Sequence, residues 1–154
     1  MAKRKLLKGI IGGIASSFAS RNNDSDGYWT MGILCKIARD SGTNQFTLDL
    51  ATGESKPDYK HSEQIAAPYY DSLLRQITKL GFANEVIRNA RIEVEFNVPS
   101  SKSQIASQWL DGSSFICRAI VIDDLNQVWS AEFDGWCWPH DAKRESRSTR
   151  RFPS

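Results

Sequence analysis

Cys137 and His140 stand three residues apart, which is the spacing of half a zinc site. A thiolate and an imidazole so placed can fill two corners of a tetrahedral ion. The other corners would have to come from Cys35, Cys117 or His61, because no second paired motif accompanies them. A second pair is what makes a zinc assignment compelling. The sequence therefore calls for no metal and no cofactor, with Cys137 and His140 kept as the one candidate pair. Three widely separated cysteines also argue against a disulfide framework and for a reducing compartment.

Nucleophilic chemistry finds little support. His61 and His140 are the only imidazoles, and neither belongs to a motif with a mechanism. The chain has no G-x-S-x-G, no H-E-x-x-H, no Walker loop and no G-x-G-x-x-G. Ile11-Gly12-Gly13 follows no expected strand, so it is not a phosphate loop. Glu93, Glu95, Glu132 and Asp134 can approach one another on a wet sheet face, where paired carboxylates do acid–base work or hold Mg²⁺. With no histidine or glycine-rich element beside them, a solvated face is the simpler reading. The expectation is a non-enzymatic protein, with a small metal- or carboxylate-dependent enzyme as the second alternative.

Two groups suggest binding instead. Trp136 and Trp138 precede a basic tail with Arg144, Arg147, Arg150 and Arg151. Aromatics that stack on bases, beside arginines that neutralise phosphates, would suit a single-stranded nucleic acid. Near the other end, Leu7, Ile11, Ile14 and Phe18 recur at helical spacing, and Leu6 and Ile10 widen the stripe. Lys3, Arg4, Lys5 and Lys8 add positive charge to that helix. Such a helix suits an anionic membrane surface, a partner protein, a second copy of the chain or the chain's own sheet. Gly9, Gly12 and Gly13 weaken it in isolation, so it needs a surface to lie on. A cleaved secretory signal is the competing reading, but Lys8 and the glycines break its hydrophobic run.

Charge is segregated in the same way. The net charge is +2 overall, but residues 1–21 carry +5, residues 143–154 carry +4 and the body between carries −7. The two basic ends are not equivalent, since only the first pairs its charge with an apolar stripe. No apolar run approaches the roughly 18 residues needed to span a bilayer as a helix.

The elements that must position these groups follow from periodicity. Residues 1–21 form a basic amphipathic arm, 22–27 a polar linker, 28–142 an α+β domain and 143–154 a basic tail. In the domain, residues 28–51 alternate and are expected to form a β-hairpin around Asp40–Asn44. A helix is expected from about 65–68 to Leu80, with Pro68 in its first turn and Gly81 as its left-handed cap. Asn84–Asn89 is expected to add a short helical piece, and Gln104–Leu110 another. Arg91–Val98 alternates cleanly as a half-buried strand. Phe115–Asp123 and Gln127–Trp138 make a last hairpin; a two-residue Leu125-Asn126 loop would set Arg118 opposite Phe133.

The fold class is α+β: about five strands in an antiparallel or mixed sheet, one main helix packed on it and an appended N-terminal amphipathic helix. The expected function is a non-enzymatic binding or assembly module. It would dock through the N-terminal helix onto a partner protein, another copy of itself or an anionic membrane surface. Nucleic-acid binding through both basic ends is the alternative. The expected location is cytoplasmic, with peripheral membrane attachment as one form of docking.

Overall fold

A computed structural model describes residues 2–20, 31–97 and 113–138. The order is helix α1 (Ala2–Ser20), helix α2 (Met31–Asp40), strands β1 (Gln45–Asp49) and β2 (Ser55–Lys56), helix α3 (Ser62–Lys79), a single 3₁₀ turn (Asn84–Val86), then β3 (Ile87–Phe96), β4 (Ser113–Asp123) and β5 (Val128–Cys137). The strands form one antiparallel sheet in the order β2-β1-β3-β4-β5. This is the expected α+β class. Its core contains Phe46 and Leu48 of β1, Ile92, Val94 and Phe96 of β3, and Phe115, Cys117, Ala119 and Val121 of β4. All three helices contribute buried residues to that core.

The expected hairpin over residues 28–51 is corrected. Residues 31–40 are helical, while residues 28–30 lie outside the described residues. The same apolar residues satisfy both periods: Met31, Ile33, Cys35 and Ile37 alternate, but Met31, Leu34, Cys35 and Ala38 lie on one helical face. Burial of Leu34 and Ala38 goes with the helix. Gly42 sets its end rather than a hairpin turn. With φ of 80°, it lets Gly42 N–H bond to the Arg39 carbonyl and Thr43 N–H to the Ala38 carbonyl, a Schellman cap. β1 instead turns through Asp49–Glu54 into the short β2, and Asp49 Oδ1 accepts from the N–H groups of Ala51 and Thr52.

Helix α3 ends at the expected place. Gly81, at φ of 93°, closes it through bonds from Gly81 N–H to Thr78 and from Phe82 N–H to Ile77. It starts earlier than expected, at Ser62, so Pro68 lies within it. There the proline has no N–H for the carbonyl four residues back. The short helical piece expected at Asn84–Asn89 is confined to Asn84–Val86. The expected helix at Gln104–Leu110, the linker 22–27 and the tail 143–154 lie outside the described residues.

The β4–β5 register is one residue away from the expected pairing. Arg118 faces Glu132, and Cys117 faces Phe133. The loop has three residues, not two. Asn126 N–H bonds to the Asp123 carbonyl, Asn126 takes φ of 62°, and Asp123 N–H bonds to Gln127. A type I turn followed by a left-handed residue makes this three-residue hairpin. Asp123 holds it together: Oδ1 accepts from the N–H groups of Leu125 and Gln127, and Oδ2 from Trp129 Nε1. The shift turns Ala131 and Trp129 toward the core and leaves Glu132, Asp134 and Trp136 on the outer face.

Candidate functional site

The expected docking stripe is occupied by the chain's own sheet. Leu7, Ile11 and Phe18 are fully buried, Ile14 nearly so and Ile10 partly; Leu6 remains 56% exposed. Helix α1 lies over β4 and β5 and beside α3. Gly12 faces Ala131 of β5; an added Cβ would meet Ala131 Cβ at 3.9 Å, an ordinary van der Waals contact. The Phe18 ring sits 5.2 Å from that of Tyr69, centroid to centroid. Lys8 is exposed, and the side chains of Lys3, Arg4 and Lys5 lie outside the described residues. The stripe thus seals one face of the sheet, and its use on a partner or membrane would require α1 to leave the core.

The other sheet face carries no helix among the described residues. Its side chains come from alternate positions of β1, β3, β4 and β5. The four expected acids do gather here, but in two separate rows. Glu93, Arg118 and Glu132 are cross-strand neighbours. Arg118 Nε donates to Glu132 Oε2 at 2.8 Å, its Nη1 lies 3.8 Å from Glu93 Oε1, and Arg91 Nε donates to Glu93 at 2.7 Å. Hydrogen bonding to Glu132, with Glu93 and Glu95 nearby, raises the Arg118 pKa further. A cation between carboxylates makes this an ion-pair network rather than an acid–base pair.

The next row reads Glu95, Ile116, Asp134 across β3, β4 and β5. All three are exposed, Ile116 by 37%. Among the described residues neither Glu95 nor Asp134 makes an ion pair. The row lines an open depression of about 440 Å³ with Asn44, Asn97 and Ser114. Gly135 also lines it, and a Cβ there would come within 2.3 Å of the buried Phe115 ring.

Beyond the row, Trp136 and Trp138 are 57% and 51% exposed, with ring centroids 6.3 Å apart in an edge-to-face contact. Arg144, Arg147, Arg150 and Arg151 lie outside the described residues.

Of the metal candidates, Cys137 is buried at the end of β5, and His140 lies outside the described residues. Cys35 lies on α2 rather than on a strand, and it too is buried. Interaction with the Cys137 thiol pulls the Cys35 thiol pKa down against the opposing effect of burial, helped by the Arg39 charge. It pushes Cys137 up. Cys117 stands apart, its Sγ 3.8 Å from the Ala15 carbonyl, and burial raises it to about 12. His61 Nδ1 pairs with Gln64 Oε1 at 2.8 Å. Among the described residues no three His, Cys, Asp or Glu side chains are grouped to hold a metal ion.

Sequence reasoning missed the placement of Cys35 on a helix and the Glu95–Ile116–Asp134 row. The first depends on α2, whose residues also fit a strand. The second depends on a register that a one-residue slip erases. Among the described residues no helix is long and apolar enough to cross a membrane. Compared with protein-family models, curated proteins and solved structures, the chain matches none.

Proposed function

We propose that this protein is a non-enzymatic binding and assembly module, and that its working surface is the outer sheet face rather than the α1 stripe. The partner that fits is an extended protein segment rich in arginine and lysine. The observation that carries this reading is the Glu95–Ile116–Asp134 row beside Trp136 and Trp138. Two carboxylates flank an exposed apolar residue, and two exposed indoles continue the surface. Carboxylates attract cationic side chains, and indole faces attract the same cations by a cation–π interaction of about 0.5–1 kcal/mol each. Such a surface is complementary to a basic chain.

Nucleic acid is the second reading, favoured by the exposure of both tryptophans. Phosphates would meet Glu95, Glu132 and Asp134 on the same face, so a basic protein segment is the better fit. Membrane docking through α1 would have to expose Leu7, Ile11 and Phe18, which now fill the core. In the cytoplasm, where this reading places the protein, its three free cysteines stay reduced.

The test is a titration of the full chain with a labelled peptide bearing the sequence of residues 143–154, at low and high salt. Binding should weaken with salt, since the attraction is between exposed charges. Trp136→Ala combined with Asp134→Asn should weaken it about fivefold, the loss of one cation–π contact and one exposed ion pair. A single-stranded oligonucleotide and anionic vesicles serve as competing ligands. Binding of either of these without binding of the basic peptide refutes the proposal.

A further inference from the structure

We infer that the basic tail, residues 143–154, folds back in cis onto the Glu95–Ile116–Asp134 row and regulates it as an internal competitor, a role that rests on the reading of that row as the binding surface. The tail carries +4, from Lys143, Arg144, Arg147, Arg150 and Arg151 against Glu145. On the outer face Arg118 engages Glu93 and Glu132, and Glu95 and Asp134 make no ion pair among the described residues. Opposite charge thus meets open acids within one chain. The cations of the N-terminal arm are on the wrong side for this, because α1 packs against the other face of the sheet. The tail instead begins five residues beyond Trp138, close to the end of β5, the strand that carries Asp134.

Spacing fits the tail to the row. Glu95 and Asp134 stand on β3 and β5 with β4 between them. Two inter-strand steps separate their positions by about 9.6 Å. Arg144, Arg147 and Arg150 recur at every third residue. In an extended polyproline II conformation three residues make one turn and advance about 9.3 Å. The three guanidinium groups then share one edge, at the step the two acids present. With Arg147 over Asp134, Arg150 comes over Glu95, and Ser148 and Thr149 cross the exposed Ile116. Arg144 falls back toward Trp136, two residues from Asp134 on the same face of β5, where an indole takes the cation. Glu145 lies off that edge. The tether is long enough. Nine residues separate Trp138 from Arg147 and span up to about 30 Å. The way back along β5 from Trp138 to Asp134 is four residues, about 13 Å.

A short flexible tether gives the tail an effective concentration on the order of a millimolar. A free basic segment that binds the open row with a Kd of roughly 0.1 mM is therefore held off about tenfold. The experiment titrates the labelled peptide of residues 143–154 into two full-length proteins at low salt. One is the wild type, and the other combines Arg144→Gln, Arg147→Gln and Arg150→Gln. The variant should bind the peptide about tenfold more tightly, because its own tail no longer competes. Limited trypsin digestion reads the tail directly. Cleavage after Arg147 and Arg150 should be about tenfold faster in Glu95→Gln combined with Asp134→Asn than in the wild type, since docking hides those bonds. Peptide affinities within twofold of each other would overturn the inference and leave the proposed function standing, and so would equal cleavage rates. Peptide binding to neither protein would overturn both. Concentration-dependent self-association of the wild type that the arginine variant lacks would place the tail on a neighbouring copy, and would overturn docking in cis.

Discussion

Replacing Phe18 by alanine should cost the domain about 3–5 kcal/mol, the usual loss for a buried aromatic side chain. The Phe18 side chain is fully buried and its ring packs on Tyr69 at 5.2 Å, so little of the space can refill without moving α1 or α3. For a chain of this size each kcal/mol lowers the melting temperature by about 2–4 °C. The expected drop is therefore roughly 6–20 °C. Leu6→Ala on the same helix is the matched control. Leu6 is 56% exposed, and its loss should stay within about 0.5 kcal/mol. Thermal unfolding followed by circular dichroism reads both. A helix that serves only to dock would give the opposite pattern, with both variants stable and both deficient in association. Deleting residues 2–20 extends the argument. Leu7, Ile11, Ile14 and Phe18 contribute about 1.5–3 kcal/mol each. Their sum, about 6–12 kcal/mol, is comparable to the whole stability of an ordinary domain. The shortened chain should lose cooperative unfolding. A Phe18→Ala protein that melts within two degrees of the wild type would refute the reasoning.

Asp123→Ala removes the acceptor of three hydrogen bonds in the β4–β5 turn and should cost about 2–4 kcal/mol, measurable by urea unfolding. Gly135→Ala should destabilise by about 1–3 kcal/mol, because its Cβ would drive the Phe115 ring away; Gly135→Ala combined with Phe115→Leu should recover part of that loss. Burial holds the Cys117 proton to about pH 12 in the folded chain, whereas an unfolded thiol releases it in its ordinary range. The folded state then binds more protons, so this contribution is intact below the unfolded thiol's pKa and is lost as pH rises toward about 12. Cys117→Ala should flatten the alkaline fall of stability, and an unchanged slope would count against this assignment. Arg118→Met leaves Glu93 and Glu132 facing each other without a cation and should destabilise modestly, by less than about 1 kcal/mol, since the network is exposed.

The alternation of Ile92, Val94 and Phe96 against Arg91, Glu93 and Glu95 was readable because one face is buried and the other wet. Gly81 was readable as a helix cap because its left-handed backbone suits glycine and little else. Residues 31–40 were misread because their apolar side chains fit two periods at once. Only the cap at Gly42 and the surface that Leu34 and Ala38 meet separate the two. The candidate binding row was hidden for a related reason. Its members, Glu95, Ile116 and Asp134, come from three strands, and their alignment depends on the extra residue in the turn after Asp123.

By itself the sequence determined the α+β class, the gathering of acids on one sheet face, the amphipathic character of residues 6–18 and the separation of charge along the chain. These depend on local periodicity and on counts of charge, which neighbours in sequence set. Tertiary structure decided what the α1 stripe covers, which acids Arg118 bridges and which remain open to a partner. Each of those depends on how distant segments pack. An apolar stripe states only that it must be buried; the shape of the rest of the chain decides against what.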